Sequence, residues 1–562
     1  MSKISSTHPI RILAIALIVL ALIVFLGYLL IYLNYAAALF RFPFDYDQGE
    51  GFELMDSLLF SRGEWPYRDN SQYPFYASNY PPLFHLLVVP LIWLFGPRYW
   101  TGRLVSLLAT LVTAATIAWV VQRRVHRPWL ASLSGLAFLA SNYVYHVGPL
   151  FRLHMTMVMF ETLAIAVIGW AAERPPFQTP DPATVRAQGG PLRALLQEPL
   201  DWGNHGLWLG LGLLLAAGFT KQTAIVTCAA AFAFLALRGP KRALALALPF
   251  AAVALALFGA INLATGGQWW LNTVVANANP WIMEQAVGLY RQWFRLHAVV
   301  TLLAAITALY ELYRDRLSIY TLWFVAAVLG SVMAGKWGAG ESYFATAIAA
   351  SCVLAGLGAG RALRWAETRR PRLSPWLLAA VPLLFLLQAR LVFHMPTGSP
   401  VAQRVATLLG EPAATVVPPQ TSCSAAQPAR PIPYVDSVGP TLLGNPPTAA
   451  DTAAGQRIAA YVRSAGAPPL SEEAGFSFYA GADVVTNPTQ LRNLYLNGVL
   501  HMDPLLAMIE DRGFGVVVFR AQFYPEPVLA AIGQHYQTVE TIEMNNFVYC
   551  VLRPRTTAGE EG

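Results

Sequence analysis

Residues 12–40 read ILAIALIVLALIVFLGYLLIYLNYAAALF, an apolar run broken only by Asn34. It is far longer than the roughly 7–15-residue core of a cleavable signal peptide. It also exceeds the about 20 residues that a helix needs to cross a bilayer, so it reads as an uncleaved first transmembrane helix. The rest of the chain agrees. Of 562 residues, 56% are hydrophobic and only 12% charged, with mean hydropathy +0.45, about half the charge of an average soluble chain. The net charge of +7 is no nucleic-acid signal, because the basic residues sit in short loops beside apolar runs, where they set topology. No nucleic-acid partner is expected; membrane lipids are.

Outward from the first helix, Arg41 to Tyr80 is polar and aromatic, and Leu83–Phe95 is apolar but too short to span, so it reads as an interfacial helix. Spans are expected at Leu104–Val121, Trp129–Val147, Met155–Ala172, Ala243–Leu263, Ala298–Leu312, Ile319–Ala334, Tyr343–Gly360 and Pro375–Val392. The segment Leu207–Leu237, interrupted by Lys221 and Gln222, is either one long helix or two short ones. Two helices place Arg123/Arg124/Arg127, Arg174/Arg186/Arg193, Arg238/Lys241/Arg242, Arg314/Arg316 and the run Arg361–Arg372 on one side. One helix would divide them between both faces, so the positive-inside rule favours the pair. The expectation is a polytopic α-helical protein of the cell (plasma or inner) membrane with about eleven spans. Its N-terminus is cytoplasmic and its C-terminal domain extracytoplasmic.

This topology gathers Arg41–Trp100, Pro149–His154, Thr265–Arg295, Gly335–Ser342 and the tip at Lys221 on the outer face. Residues 1–395 form the membrane domain, with the first outer loop at 41–100. Residues 396–562 form a soluble α/β domain with no catalytic motif. In it Val516–Phe519 and Phe547–Leu552 read as strands and Pro527–Tyr536 as a helix. Cys228 and Cys352 lie in apolar runs as packing residues. Cys423 and Cys550 can pair only if their domain faces an oxidising compartment, and no metal-ligand spacing connects the four cysteines.

The first outer loop carries Asp45, Asp47, Glu50 and Glu53, four acids within nine residues. A carboxylate just outside a membrane helix can act as a general base on an acceptor hydroxyl; Asp47, Asp45 and Glu50 are the candidates. The bland alternative is a solvated loop in which Glu50, Glu53 and Asp56 face water or cap a helix. Glu161, seven residues after His154 inside an expected span, is either functional or a structural partner of His154 or a neighbouring helix. Trp269, Trp270, Trp281 and Trp293 read as an interfacial belt.

The order of these features resembles a known family. An acidic motif after the first span is followed by the turn Gly63-Glu64-Trp65-Pro66-Tyr67. Then come Tyr80-Pro81-Pro82-Leu83 opening a helix that closes on Phe95-Gly96, and Arg103-Leu104-Val105-Ser106. The sequence is similar to the GT-C glycosyltransferases, in the branch of the protein O-mannosyltransferases, the aminoarabinose transferase of lipid A and the RgtA/B/C/D-like enzymes. Arg152-Leu153-His154 resembles that branch's Arg-x-Asp, and Phe219-Thr220-Lys221 its Thr-Lys between two short helices. Two positions depart: the usual Asp-Glu pair reads Asp47-Gln48, with Glu50 displaced, and the aspartate of Arg-x-Asp is His154.

The resemblance implies a transferase that moves a hexose or pentose from a polyprenyl-phosphate-linked donor to an outer-face glycan, lipid or protein acceptor, with inversion. One carboxylate suffices, because the lipid phosphate is already a good leaving group; a glycoside hydrolase needs two. The phosphate calls for cations: Lys221 and Lys336, with Arg152 and Arg68, and Arg291 and Arg295 behind them. Lys336 and Arg291 are equally readable as snorkelling anchors. His154, Tyr80 and Glu341 complete the expected pocket. The resemblance fixes no cofactor, and a divalent metal is left open. The rival readings are a transporter or lipid flippase, which should show internal repeats and charged broken helices at mid-membrane, and a non-catalytic assembly protein.

Overall fold

The computed structural model describes residues 8–172, 203–393, 446–520, 523–545 and 547–556, with Arg404, Thr407, Leu408 and Cys423. The first helix runs His8–Arg41, the first-loop helix Glu50–Ser61 and the interfacial helix Leu83–Phe95. Among the described residues, seven helices are long and apolar enough to cross a membrane: Pro9–Arg41, Tyr99–Val125, His154–Ala171, Pro240–Ala264, Met283–Arg314, Glu341–Arg369 and Ser374–Val392. The expected span Trp129–Val147 is instead a short helix, Pro128–Leu139, followed after a break by Asn142–Val147. That helix, His205–Thr220, Gln222–Arg238 and Ile319–Gly335 are the shorter apolar helices at the other expected crossings; eleven spans would require all four to cross. The expected loop 265–295 is partly helical, because Met283–Arg314 continues through a kink at His297.

The chain reverses direction at Lys221. His205–Thr220 starts beside the end of His154–Ala171, where the Asn204 side chain donates to the Ala171 carbonyl (3.2 Å). At the tip, Lys221 is extended (φ −154°, ψ 134°), and Gln222 donates to the Asn79 and Thr273 carbonyls of two other loops (3.4 and 3.2 Å). The next helix, Ile225–Arg238, returns to the starting level, where Arg238 shares a cavity of about 720 Å³ with Gly169, Ala172 and Arg124. Arg316, Arg361 and Arg364 line the same cavity. Arg124, Arg238, Arg316, Arg361 and Arg364 therefore do meet at one end of the bundle, while Arg174, Arg186 and Arg193 lie outside the described residues. Fully buried Glu311 holds that end together, accepting from Ser318 N (2.8 Å), Thr321 Oγ1 (2.6 Å) and Arg361 Nη1 (2.6 Å).

At the opposite end sits a four-stranded mixed sheet, β1 (Pro469–Ser471), β2 (Val516–Phe519), β3 (Tyr536–Met544) and β4 (Phe547–Pro554), in the order β1-β2-β4-β3. β1 runs parallel to β2; the other pairs are antiparallel. The Val516–Phe519 strand is wholly buried, which explains its unbroken apolar run. The helix read from Pro527–Tyr536 spans Glu526–His535. Cys423 and Cys550 form a disulfide. The expected boundary between residues 395 and 396 lies outside the described residues.

This α/β region seals against the loop that follows the first helix. Phe75 pairs with Thr486 as an isolated parallel bridge. Asn487 donates to the Ala77 carbonyl (3.3 Å), and Gln490 to the Asn272 side chain (2.8 Å).

Candidate functional site

Asp45, Asp47, Glu50, Glu53 and Asp56 are all buried, contrary to the reading in which Glu50, Glu53 and Asp56 face water. The reason is long-range: the interfacial helix, the loop at 149–154 and the α/β region close over them. A buried carboxylate must find donors or lose its charge, and each acid meets that demand differently.

Glu50 is saturated. Arg103 holds it with two bonds, Nε to Oε1 (2.9 Å) and Nη2 to Oε2 (2.8 Å). The N–H groups of Phe151 (2.7 Å) and Tyr46 (2.8 Å) also donate to it. Burial pushes its carboxyl up, but the guanidinium and the backbone donors outweigh this and hold it below the usual range. Arg103 in turn donates to the carbonyls of Leu39, Phe42 and Phe44, pinning the end of the first helix to the loop. Glu50, expected among the catalytic acids, thus has no free oxygen.

Asp45 is committed too. It accepts from Gly51 N (2.6 Å), the Tyr99 hydroxyl (2.7 Å) and Gly475 N (2.8 Å), tying the loop to the α/β region. Burial raises its pKa to about 6. The close approach requires glycine: a Cβ on Gly51 would lie 2.7 Å from both the Ala474 Cβ and the Tyr99 hydroxyl.

Asp47 is different. Its Oδ2 accepts from Arg152 Nε at 2.7 Å, while its buried Oδ1 has no hydrogen-bond partner among the described residues. Gly49 makes room for this pair. It adopts φ +129°, and a side chain there would run into the Arg152 guanidinium. The pattern Asp47-Gln-Gly-Glu-Gly51 is therefore a backbone folded around one arginine and one tyrosine.

Arg152 also approaches Glu53 (Nη1 to Oε1, 3.6 Å). Nearby, Lys221 is 2% exposed, its Nζ 4.1 Å from the centre of the Tyr343 ring. Burial, then the positive charges of Arg152 and Lys336, push its ammonium well below the usual lysine range. Three of the four expected phosphate cations are thus brought together. Arg68 is not: it is partly exposed and paired with Glu64 of its own turn. Arg291 and Arg295 are exposed, as snorkelling anchors would be.

Tyr80, Arg152, Gln48, Gly49 and Gly338 line a small cavity here, with Asn487 and Thr489 contributed by the α/β region. His154 begins its helix within electrostatic reach of Lys221 and Arg152, and its Nδ1 is buried without a hydrogen-bond partner. Glu341 lies within reach of His146, Asp47 and Arg152. Glu161 bonds Thr227 and Thr346 on neighbouring helices (2.6 Å each) rather than His154. The tryptophans divide: Trp270 and Trp281 are exposed, as in a belt, while Trp269 and Trp293 are buried.

The sequence reading missed Arg103 as the clamp of the loop and the lining residues Asn487 and Thr489. It also missed a cluster of Glu53, Asp56 and His85. Of these only Arg103 carried a signal, since a lone arginine near the start of an apolar span has to bury its charge against something.

No family model matches the chain, and no curated protein matches its sequence. Solved structures do match. ArnT from Cupriavidus metallidurans in the apo state superimposes with a TM-score of 0.52 at 15% identity, covering 94% of this chain and 97% of that one. ArnT from the same organism bound to undecaprenyl phosphate gives 0.50 at 14%, covering 93% and 98%. An oligosaccharyltransferase from Archaeoglobus fulgidus tethered with an acceptor peptide gives 0.45 at 11%, covering 93% and 72%. Near-complete coverage in both directions by ArnT extends over the membrane bundle and the α/β region alike. The chain has the GT-C fold, in an ArnT-like form.

Proposed function

We propose that this protein is a membrane glycosyltransferase. It moves one sugar from a polyprenyl-phosphate donor to a glycan, lipid or protein acceptor on the outer face, with inversion. Asp47 is the general base, and Arg152, Lys221 and Lys336 receive the donor phosphate. Tyr80, His154 and Glu341 surround the reacting groups. The N-terminus and the arginine end are cytoplasmic, the chain crosses about eleven times, and residues 396–562 form an extracytoplasmic domain.

The observation that carries this reading is the convergence of three cations beside a carboxylate with one oxygen free. Arg152 and Lys336 both repel the buried Lys221 ammonium; an anionic phosphate among them would reverse that penalty. Asp47 is ion-paired through Oδ2 and presents Oδ1, as a base must if it is to stay ionised and still accept a proton. The solved ArnT complex with undecaprenyl phosphate supports a lipid phosphate as the anion. A transporter would instead place its charges at mid-membrane, and here they gather at one end of the bundle.

The test is mass spectrometry of lipid extracts from a strain lacking the protein. A polyprenyl-phosphate sugar should accumulate there and disappear on complementation. Unchanged lipid-linked sugars would defeat the reading.

A further inference from the structure

Behind the cavity, Glu53, Asp56 and His85 bring one ligand atom each to within 4.8 Å of one another. All three are buried: His85 is 0% and Glu53 and Asp56 are each 2% exposed. Two atoms aimed into the cluster, Glu53 Oε2 and His85 Nε2, have no hydrogen-bond partner among the described residues. His85 Nε2 lies 3.4 Å from Glu53 Oε2 and 3.7 Å from Asp56 Oδ2.

The tautomer of His85 shows why this arrangement needs a cation. The Ser57 hydroxyl donates its proton to the Glu53 carbonyl (2.8 Å) and lies 3.4 Å from His85 Nδ1. With that proton committed, Ser57 can only accept from the imidazole, which places the ring hydrogen on Nδ1. His85 Nε2 is then a bare lone pair facing two carboxylate oxygens. Three acceptors pointing at one another in a buried site repel unless something positive lies between them.

We propose that Glu53, Asp56 and His85 bind one divalent transition-metal cation of the Zn²⁺ class, a site separate from the Asp47–Arg152 pair. Bonds of about 2.0–2.2 Å in tetrahedral geometry place neighbouring ligand atoms about 3.3–3.6 Å apart, close to the 3.4 and 3.7 Å found here. Two carboxylates and an imidazole are a borderline-to-hard donor set suited to such an ion. Ser57 fixes the imidazole from behind, the usual outer-shell arrangement for a metal-bound histidine. Three protein ligands leave a fourth position. Glu53 and Asp56 both line the cavity that holds Tyr80 and Arg152, so that position opens toward it. The ion also fixes Glu53, whose other oxygen approaches Arg152; the cluster therefore positions the arginine that pairs with Asp47. The site does not depend on the transferase reading.

The experiment is metal content. Full-length protein purified in detergent, stripped with a chelator and re-equilibrated with Zn²⁺, should retain about one equivalent per chain after desalting and gain thermal stability from it, because an ion that binds only the folded state stabilises it. Glu53→Gln and His85→Gln should each lose that equivalent, and Ser57→Ala should weaken binding by about 10–100-fold. Asp47→Asn should keep it. Wild-type protein that retains no ion and shows no stabilisation overturns the proposal, in favour of a carboxylic acid proton shared with His85 Nε2. Retention of the full equivalent in both ligand variants overturns it equally. Should a variant fail to fold, wild-type protein loaded with Mn²⁺ and labelled with ¹⁵N-histidine decides: nitrogen coupling in its pulsed EPR is expected, and its absence refutes the site.

Discussion

Replacing Asp47 by Asn separates catalysis from architecture. The amide keeps the size of the carboxylate, and its oxygen can still accept from Arg152 Nε, now 2.7 Å from Asp47 Oδ2. It cannot take the acceptor's proton. Loss of a positioned base costs about 10²–10⁴-fold in turnover, equivalent to about 3–5 kcal/mol on the barrier. Lipid-phosphate binding should not weaken, since Arg152 loses a competing negative charge. Glu50→Gln gives the contrasting outcome. It breaks a fully buried, doubly bonded pair with Arg103, and uncompensated charges of that kind cost about 3–5 kcal/mol of stability. Asp45→Asn should likewise act on the seam with the α/β region. The assay is turnover on the donor and acceptor found by lipid analysis, beside native mass spectrometry of bound undecaprenyl phosphate and a thermal melt. Asp47→Asn should lose turnover with its melt and lipid binding preserved, while Glu50→Gln loses stability. Near-wild-type turnover in Asp47→Asn, or lost turnover without destabilisation in Glu50→Gln, would refute the assignment of the base.

Lys221→Met should leave expression intact and weaken use of the lipid donor, with Lys221→Arg keeping partial function because charge survives and reach changes; equal donor dependence in the Met variant would return Lys221 to packing. A reporter fused at residue 397 should behave as extracytoplasmic and one near Arg369 as cytoplasmic, and the reverse would undo the orientation. Reduction of the Cys423–Cys550 disulfide, which spans a sequence separation of 127, should destabilise the α/β region. The chain-entropy limit for such a loop is about 5 kcal/mol, and a melt insensitive to reductant would show that the bond does not form. Burial raises Asp45 to about 6, so its folded form holds its proton more tightly than the unfolded one. The Asp45 seam should therefore tighten as pH falls from above 6 toward 4 and loosen as pH rises through that window. Asp45→Asn should remove that part of the pH dependence of the melt.

What the sequence alone determined is what local composition encodes. A long apolar run has one stable setting, a membrane span, because an unsatisfied backbone cannot lie in hydrocarbon. The asymmetry of arginines among the loops favoured a reversal at Lys221, and the chain does turn back there. The buried strand Val516–Phe519 was legible from its own four residues. The roles of the acids were not legible, because partners distant in the chain decide them. Asp45 is occupied by Tyr99 and Gly475, Glu50 by Arg103 and Phe151, and Asp47 keeps one oxygen free beside Arg152. Glu53 and Asp56 read as solvent-facing because a short amphipathic helix shows only that it has a polar face. Whether that face meets water or His85 depends on what packs over it. Side-chain identity sets which charges exist; tertiary closure sets which of them remain unpaired, because burial makes every missing partner costly.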